Sequence, residues 1–194
     1  INPIPDDATA SVGLTTQSSV YNAYRMKSQV QNDEEKIKEV MIGRGFESIE
    51  KVKTFNYANN AKPYIIALKG NYELESIANK LIVTPFLDFP LRKNQLRQKE
   101  RQYPIDFTYL SEVSLKSQIK IPEGYDIEEL PETISIDDEI ANIQLNYQKS
   151  GGQIIVNGFY AFKKLIYQPE SYLQLKNYFN IIIDNFNQEL ILEK

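Results

Sequence analysis

A glycine pair, Gly151-Gly152, stands between a stretch in which apolar and polar residues alternate and a second, largely apolar one. Before it, Ile143, Leu145 and Tyr147 alternate with Asn142, Gln144, Asn146 and Gln148; after it, the chain reverses into the stretch from Ile154 to Ile166. Alternation places successive side chains on opposite faces of a strand, and a tight reversal needs residues that adopt positive φ without strain. The segment therefore reads as a β-hairpin. Its second strand is apolar on both faces around Phe159, Tyr160, Ala161 and Phe162, which predicts a central strand beneath a covering layer. A helix predicted over 169–187 supplies that layer. Pro169-Glu170 suits a first helical turn, and Tyr172, Leu175, Phe179, Ile182 and Phe186 follow at spacings of three and four. Burying this stripe is worth on the order of 10 kcal/mol before entropy is subtracted.

The rest of the second half is also β in pattern. Val113, Leu115, Ile119 and Ile121 alternate with charged and polar residues up to Pro122-Glu123-Gly124; Ile134 and Ile136 continue the theme. Leu190 and Leu192 fit a closing strand. The first half mixes periods. Ser18 or Ser19 can cap a helix carrying Tyr21, Tyr24 and Met26, and Asn32-Asp33-Glu34-Glu35 can cap a second with Ile37, Val40 and Met41 on one face, ended near Gly43 and Gly45. Val52, Thr54 and Phe55, then Tyr64 to Leu68 and Leu81 to Val83, read as strands. The expected architecture is α+β: a mixed α/β segment over 1–90, a basic connector over 91–102, and a β-sandwich-like module over 103–194 capped by the one helix. In the connector Arg92, Lys93, Arg97, Lys99 and Arg101 face only Glu100, and a solvated loop is expected.

The chain contains no Cys and no His. That removes thiol nucleophiles, imidazole bases, disulfides and nearly all zinc, copper and haem chemistry. Net charge is -4, far from the basic balance that binding nucleic acid favours, and no apolar run is long enough to span a membrane. The chain starts at Ile1, and its methionines, Met26 and Met41, lie within helical patterns. An excised or processed piece is the expectation.

The remaining chemical options are few. Ser114, Lys116 and Ser117 do not form a convincing Ser-Lys pair, because consecutive strand residues point to opposite faces and no Ser-x-x-Lys opens a helix. Acids crowd the 123–139 stretch, among them Glu123, Glu128, Glu129, Glu132, Asp137, Asp138 and Glu139. Paired carboxylates are what glycoside hydrolysis uses, but solvated turns are the simpler reading. Asp137, Asp138, Glu139 and Asn142 offer oxygens for calcium without the spacing of a known calcium loop. Gly43-Arg44-Gly45 is too short for a phosphate cradle. Tyrosine and phenylalanine are abundant, 13 and 9, and exposed tyrosines could make a glycan or peptide platform, although alternation puts most of them in the core. Arg101 and Asp106 flank Tyr103-Pro104 and are expected to form an ion pair. No catalytic, cofactor-binding or metal-binding residue is assigned, and no cofactor is expected.

Glu100-Arg101-Gln102-Tyr103-Pro104-Ile105-Asp106-Phe107, Ile119-x-Ile121-Pro122-Glu123-Gly124-Tyr125, Glu128-Glu129-Leu130-Pro131 and Pro169-Glu170-x-Tyr172-x-x-Leu175-Lys176-x-Tyr178-Phe179 resemble the C-terminal module of bacterial transglutaminase-like proteins. The ending Glu189-x-Ile191-Leu192-x-Lys194 continues the likeness. Those proteins combine an N-terminal domain of unknown function, a core with a Cys-His-Asp triad, and a β-rich tail of unknown function. The resemblance covers the second half; residues 1–90 match only in general shape. It carries over no catalytic or binding residue. It implies a periplasmic or extracellular setting and an upstream core as partner, with this chain as a non-catalytic accessory module. A glycan- or peptide-binding module is the alternative, and a carboxylate-based hydrolase a second one.

Overall fold

The computed structural model describes residues 1–87 and 89–194. The chain divides into two compact units, Ile1–Leu81 and Ile82–Lys194.

In the first unit, β1 (Asn2–Ile4) and β2 (Thr9–Ser18) lead into α1 (Val20–Val30) and α2 (Glu34–Ile42), followed by β3 (Phe46–Phe55) and β4 (Tyr64–Glu73). The strands form an antiparallel sheet in the order β1-β2-β4-β3. Asp33 caps α2 by accepting from the backbone N–H groups of Glu35 and Lys36. The first helix ends instead on Gln31, whose left-handed φ of 51° comes without a glycine. Ala23, Val30, Ile37 and Met41 of the helices are buried, as are Ala10, Val12, Ile66 and Leu68 of the sheet, and α2 packs chiefly on β3. Gly70 is required by close approach: a Cβ there would lie 2.3 Å from the carbonyl oxygen of Ser48. β5 (Glu75–Ile77) follows, and β6 (Lys80–Val83) crosses into the second unit.

The second unit continues with β7 (Ile105–Asp106), β8 (Glu112–Lys120), β9 (Asp126–Ile127), β10 (Ile134–Asp137), β11 (Ala141–Ser150), β12 (Gln153–Phe162), β13 (Ile166–Tyr167), α3 (Tyr172–Phe186) and β14 (Leu190–Glu193). Its main antiparallel sheet has the order β10-β11-β12-β8. The hairpin is present as read, with Ser150 opposite Gln153 and both Gly151 and Gly152 at positive φ. β12 is central, between β11 and β8. A 3-10 turn at Pro169–Ser171 precedes α3, so the α-helix proper starts three residues after the proline. All five residues of the apolar stripe are buried, and Tyr178 joins them. Phe179 stacks on Phe162 at 4.7 Å, and Phe186 on Phe89 at 5.4 Å. Short ribbons pair β13 with β7 and place β14 between β6 and β9. The α+β class with a β-rich second half and a C-terminal helix is thus observed. No helix of the described residues is long and apolar enough to cross a membrane.

Candidate functional site

The acidic stretch is the densest set of ionisable groups suggested by the sequence, and several of its carboxylates are engaged by groups of their own chain. Asp138 sits in the turn between β10 and β11, where its Oδ1 accepts from the backbone N–H groups of Ile140 and Ala141 at 2.8 and 3.0 Å. Its Oδ2 accepts from the hydroxyl of Tyr178 and from Nε2 of Gln174, both on α3. The Tyr178 hydrogen bond, aided by the two backbone donors, holds the Asp138 carboxyl below its ordinary range, while the same bond raises the Tyr178 phenol. Asp137 pairs with Lys163, Asp126 with Lys149, and Glu139 lies 3.6 Å from Lys164. Lys149 is also the main cause of a lowered Asp126 carboxyl. Among the described residues no group of three or more Asp or Glu is placed to hold a metal ion. Asn142, the fourth oxygen donor suggested for calcium, accepts instead from Gln144 at 3.1 Å.

Two other expectations resolve differently. Arg101 does not pair with Asp106: the Asp106 carboxylate accepts from the Thr108 backbone N–H at 2.7 Å, closing a local turn in which Thr108 has φ 63°. An Asp two residues before a free N–H makes this contact without immobilising a long arginine. The 91–102 segment is not a loose loop. Asn94 donates to the carbonyl of Lys176 and to Asn180, Arg92 to Asn187, and the Tyr172 hydroxyl to the carbonyl of Gln98, which tie the segment along α3.

The face of the main sheet turned away from α3 is open. Cross-strand register lines up Gln144, Phe159 and Ser114 in one row, and Asn146, Asn157 and Lys116 in the next. Phe159 and Asn157 are half-buried, and Asn157 donates to Asn146 at 3.2 Å. This face is rich in neutral amides around one aromatic ring. Ser117 lies buried on the opposite, core face, so it diverges from Lys116. The tyrosines do not form a sheet platform: Tyr160 and Tyr64 are buried, and burial lifts the half-buried Tyr147 phenol to about 12. Exposed tyrosines lie on α1, as Tyr21 and Tyr24, after β3 at Tyr57, and at Tyr103 of the second unit. Shallow depressions among the described residues include one of about 300 Å³ bordered by Gln98, Arg101 and Tyr103, and one of about 400 Å³ bordered by Gly45, Tyr72 and Glu75.

Residues 79–192, more than half of the chain, match a family described as a Domain of Unknown Function with solved-structure structure (DUF3858). The chain belongs to the DUF3858 family. The matched region of the DUF3858 chain contains the acidic turn, the anchored basic segment, the open amide face and α3. No curated protein and no solved structure matches the chain.

Sequence reasoning missed Tyr178 and Gln174 as partners of Asp138. The signal available was that Tyr178 sits one position before Phe179 of the apolar stripe, where a tyrosine can bury its ring and extend its hydroxyl to an edge.

Proposed function

We propose that this DUF3858 chain is a non-catalytic accessory module that supports or orients a neighbouring catalytic domain or protein partner. The observation that carries this reading is the state of the acidic stretch. Asp126, Asp137 and Asp138 are engaged by lysines, backbone amides and Tyr178; the Asp126 and Asp138 carboxyls are held low, and a carboxyl held low is a poor proton donor near neutral pH. The resemblance of the second half to the tails of bacterial transglutaminase-like proteins supports a transglutaminase-like core as the neighbour and a periplasmic or extracellular setting. Incubating the 194-residue protein with glutamine-donor peptides and primary amines should give no transamidation or peptide hydrolysis. Turnover that disappears in an Asp138→Asn variant would refute the reading.

A second reading is favoured by one feature, the open amide face. Side-chain amides both donate and accept, which suits the hydroxyls of a neutral glycan, and Phe159 offers a ring for the apolar face of a sugar. Saturable binding on a glycan array, lost in a Phe159→Ala variant that melts like the parent, would support it. A blank array would leave it without support.

A further inference from the structure

We propose that the outward side of the 91–104 segment is a docking surface for an acidic stretch of a partner protein. The proposal names the surface through which the accessory reading operates and rests on it. Alternating positions of the segment behave differently. Arg92 and Asn94 are tied to the helix side, and Leu96 is half-buried with its N–H on Asn94. Lys93, Arg97 and Lys99 are exposed, and Arg101 is half-buried. Among the described residues no hydrogen bond or ion pair engages the side chains of these four cations. Lys176 adds a fifth positive charge at the same place, its Nζ resting on the carbonyl of Gln98 at 2.8 Å. Glu100 is the only acid within the run.

A chain of net charge -4 thus holds a local strip of positive charge whose four cations have no ion-pair partner among the described residues, and hydrogen bonds fix its 92–98 part along α3. Fixing a binding segment in advance lowers the ordering cost of association. Complementary potential selects a negatively charged occupant. The choice of a protein over another polyanion comes from what borders the strip. Arg101 and Tyr103 line the depression of about 300 Å³, and Tyr103 is 76% exposed. Arg and Tyr are the residues enriched where protein partners anchor, and an aromatic ring standing out of a surface has apolar area to bury against side chains.

The test is fluorescence anisotropy on the 194-residue protein with three labelled probes: a peptide alternating Glu or Asp with Leu and Phe, a length-matched oligoglutamate, and a sulfated heparin octasaccharide. The acidic apolar peptide should bind best, weaken about tenfold between low and physiological salt, and lose binding in Arg97→Glu/Arg101→Glu. Tyr103→Ala should weaken that peptide several-fold and leave oligoglutamate unchanged. Arg97→Lys/Arg101→Lys should retain binding, and a melting curve like the parent's excludes misfolding. Binding by none of the probes overturns the proposal. So does octasaccharide binding as tight as the peptide's and indifferent to Tyr103, which would mark simple polyanion adsorption. Failure of the accessory reading itself shows separately, as turnover by the protein.

Discussion

A Cβ built on Gly158 would lie 2.7 Å from Cε1 of Phe186, so the last turn of α3 rests directly on the backbone of the central strand β12. Phe186 cannot swing aside easily, because it is stacked on Phe89 and set edge-on to Tyr160 at 5.8 Å. Gly158→Ala should therefore cost about 1–3 kcal/mol by overpacking, and Phe186→Ala about 3–5 kcal/mol. The double variant should cost less than the sum, since removing the ring removes the clash. Urea unfolding of the four proteins measures all three quantities, and strict additivity would show that the helix does not depend on this approach.

Asp138 and Tyr178 join the β10–β11 turn to α3 across 40 positions of sequence. Tyr178→Phe should destabilise the protein by about 1 kcal/mol at neutral pH. The Asp138 carboxyl is lowered in the folded state from an ordinary 3.8, so its stabilisation is present above that value and lost as pH falls through the lowered one. The gap between parent and Tyr178→Phe should close below about pH 4 in thermal melts. A gap that is constant down to pH 2 would assign the loss to packing.

Tyr64 has the opposite signature. Its hydroxyl is buried without a hydrogen-bond partner, and burial raises its phenol. Tyr64→Phe removes an unsatisfied polar group and keeps the ring, including its approach to Lys27 Nζ at 5.7 Å. Stability should be unchanged or rise by about 1 kcal/mol. A loss of similar size would reveal a partner for the hydroxyl.

The cap on α2 gives a local prediction. Asp33→Ala leaves the Glu35 and Lys36 N–H groups without their acceptor and should cost about 1 kcal/mol, while Asp33→Ser should recover most of it. Chemical denaturation is sufficient to separate the three.

Local signals carried far in this chain. Gly151-Gly152 marked the hairpin, the two-faced apolarity around Phe159 marked the central strand, and the stripe from Tyr172 to Phe186 marked the buried side of α3. Each depends on residues within one or two turns of the backbone. What was not legible is long-range and polar. The bond from Tyr178 to Asp138 leaves no periodic trace, so Asp138 read as a solvated turn charge. The 91–102 segment lacked apolar periodicity and read as a loop, yet its anchors are Asn94 and the carbonyl of Gln98, which hydropathy does not register. The expected Arg101–Asp106 pair lost to a shorter-range competitor, the Thr108 N–H. The open face of the main sheet was visible as alternating Asn and Gln, but its assembly with Phe159 and Ser114 needed the register of three strands.

Carbon-detected NMR titration of the Asp side-chain carboxyls decides most directly whether the acidic stretch serves structure or proton transfer. Asp126 and Asp138 should both titrate below 3.8 in the folded protein, and Asp138 should move upward in Tyr178→Phe. Either carboxyl titrating near neutral pH, poised to exchange a proton with a substrate, would contradict a structural role and reopen the chain as an enzyme.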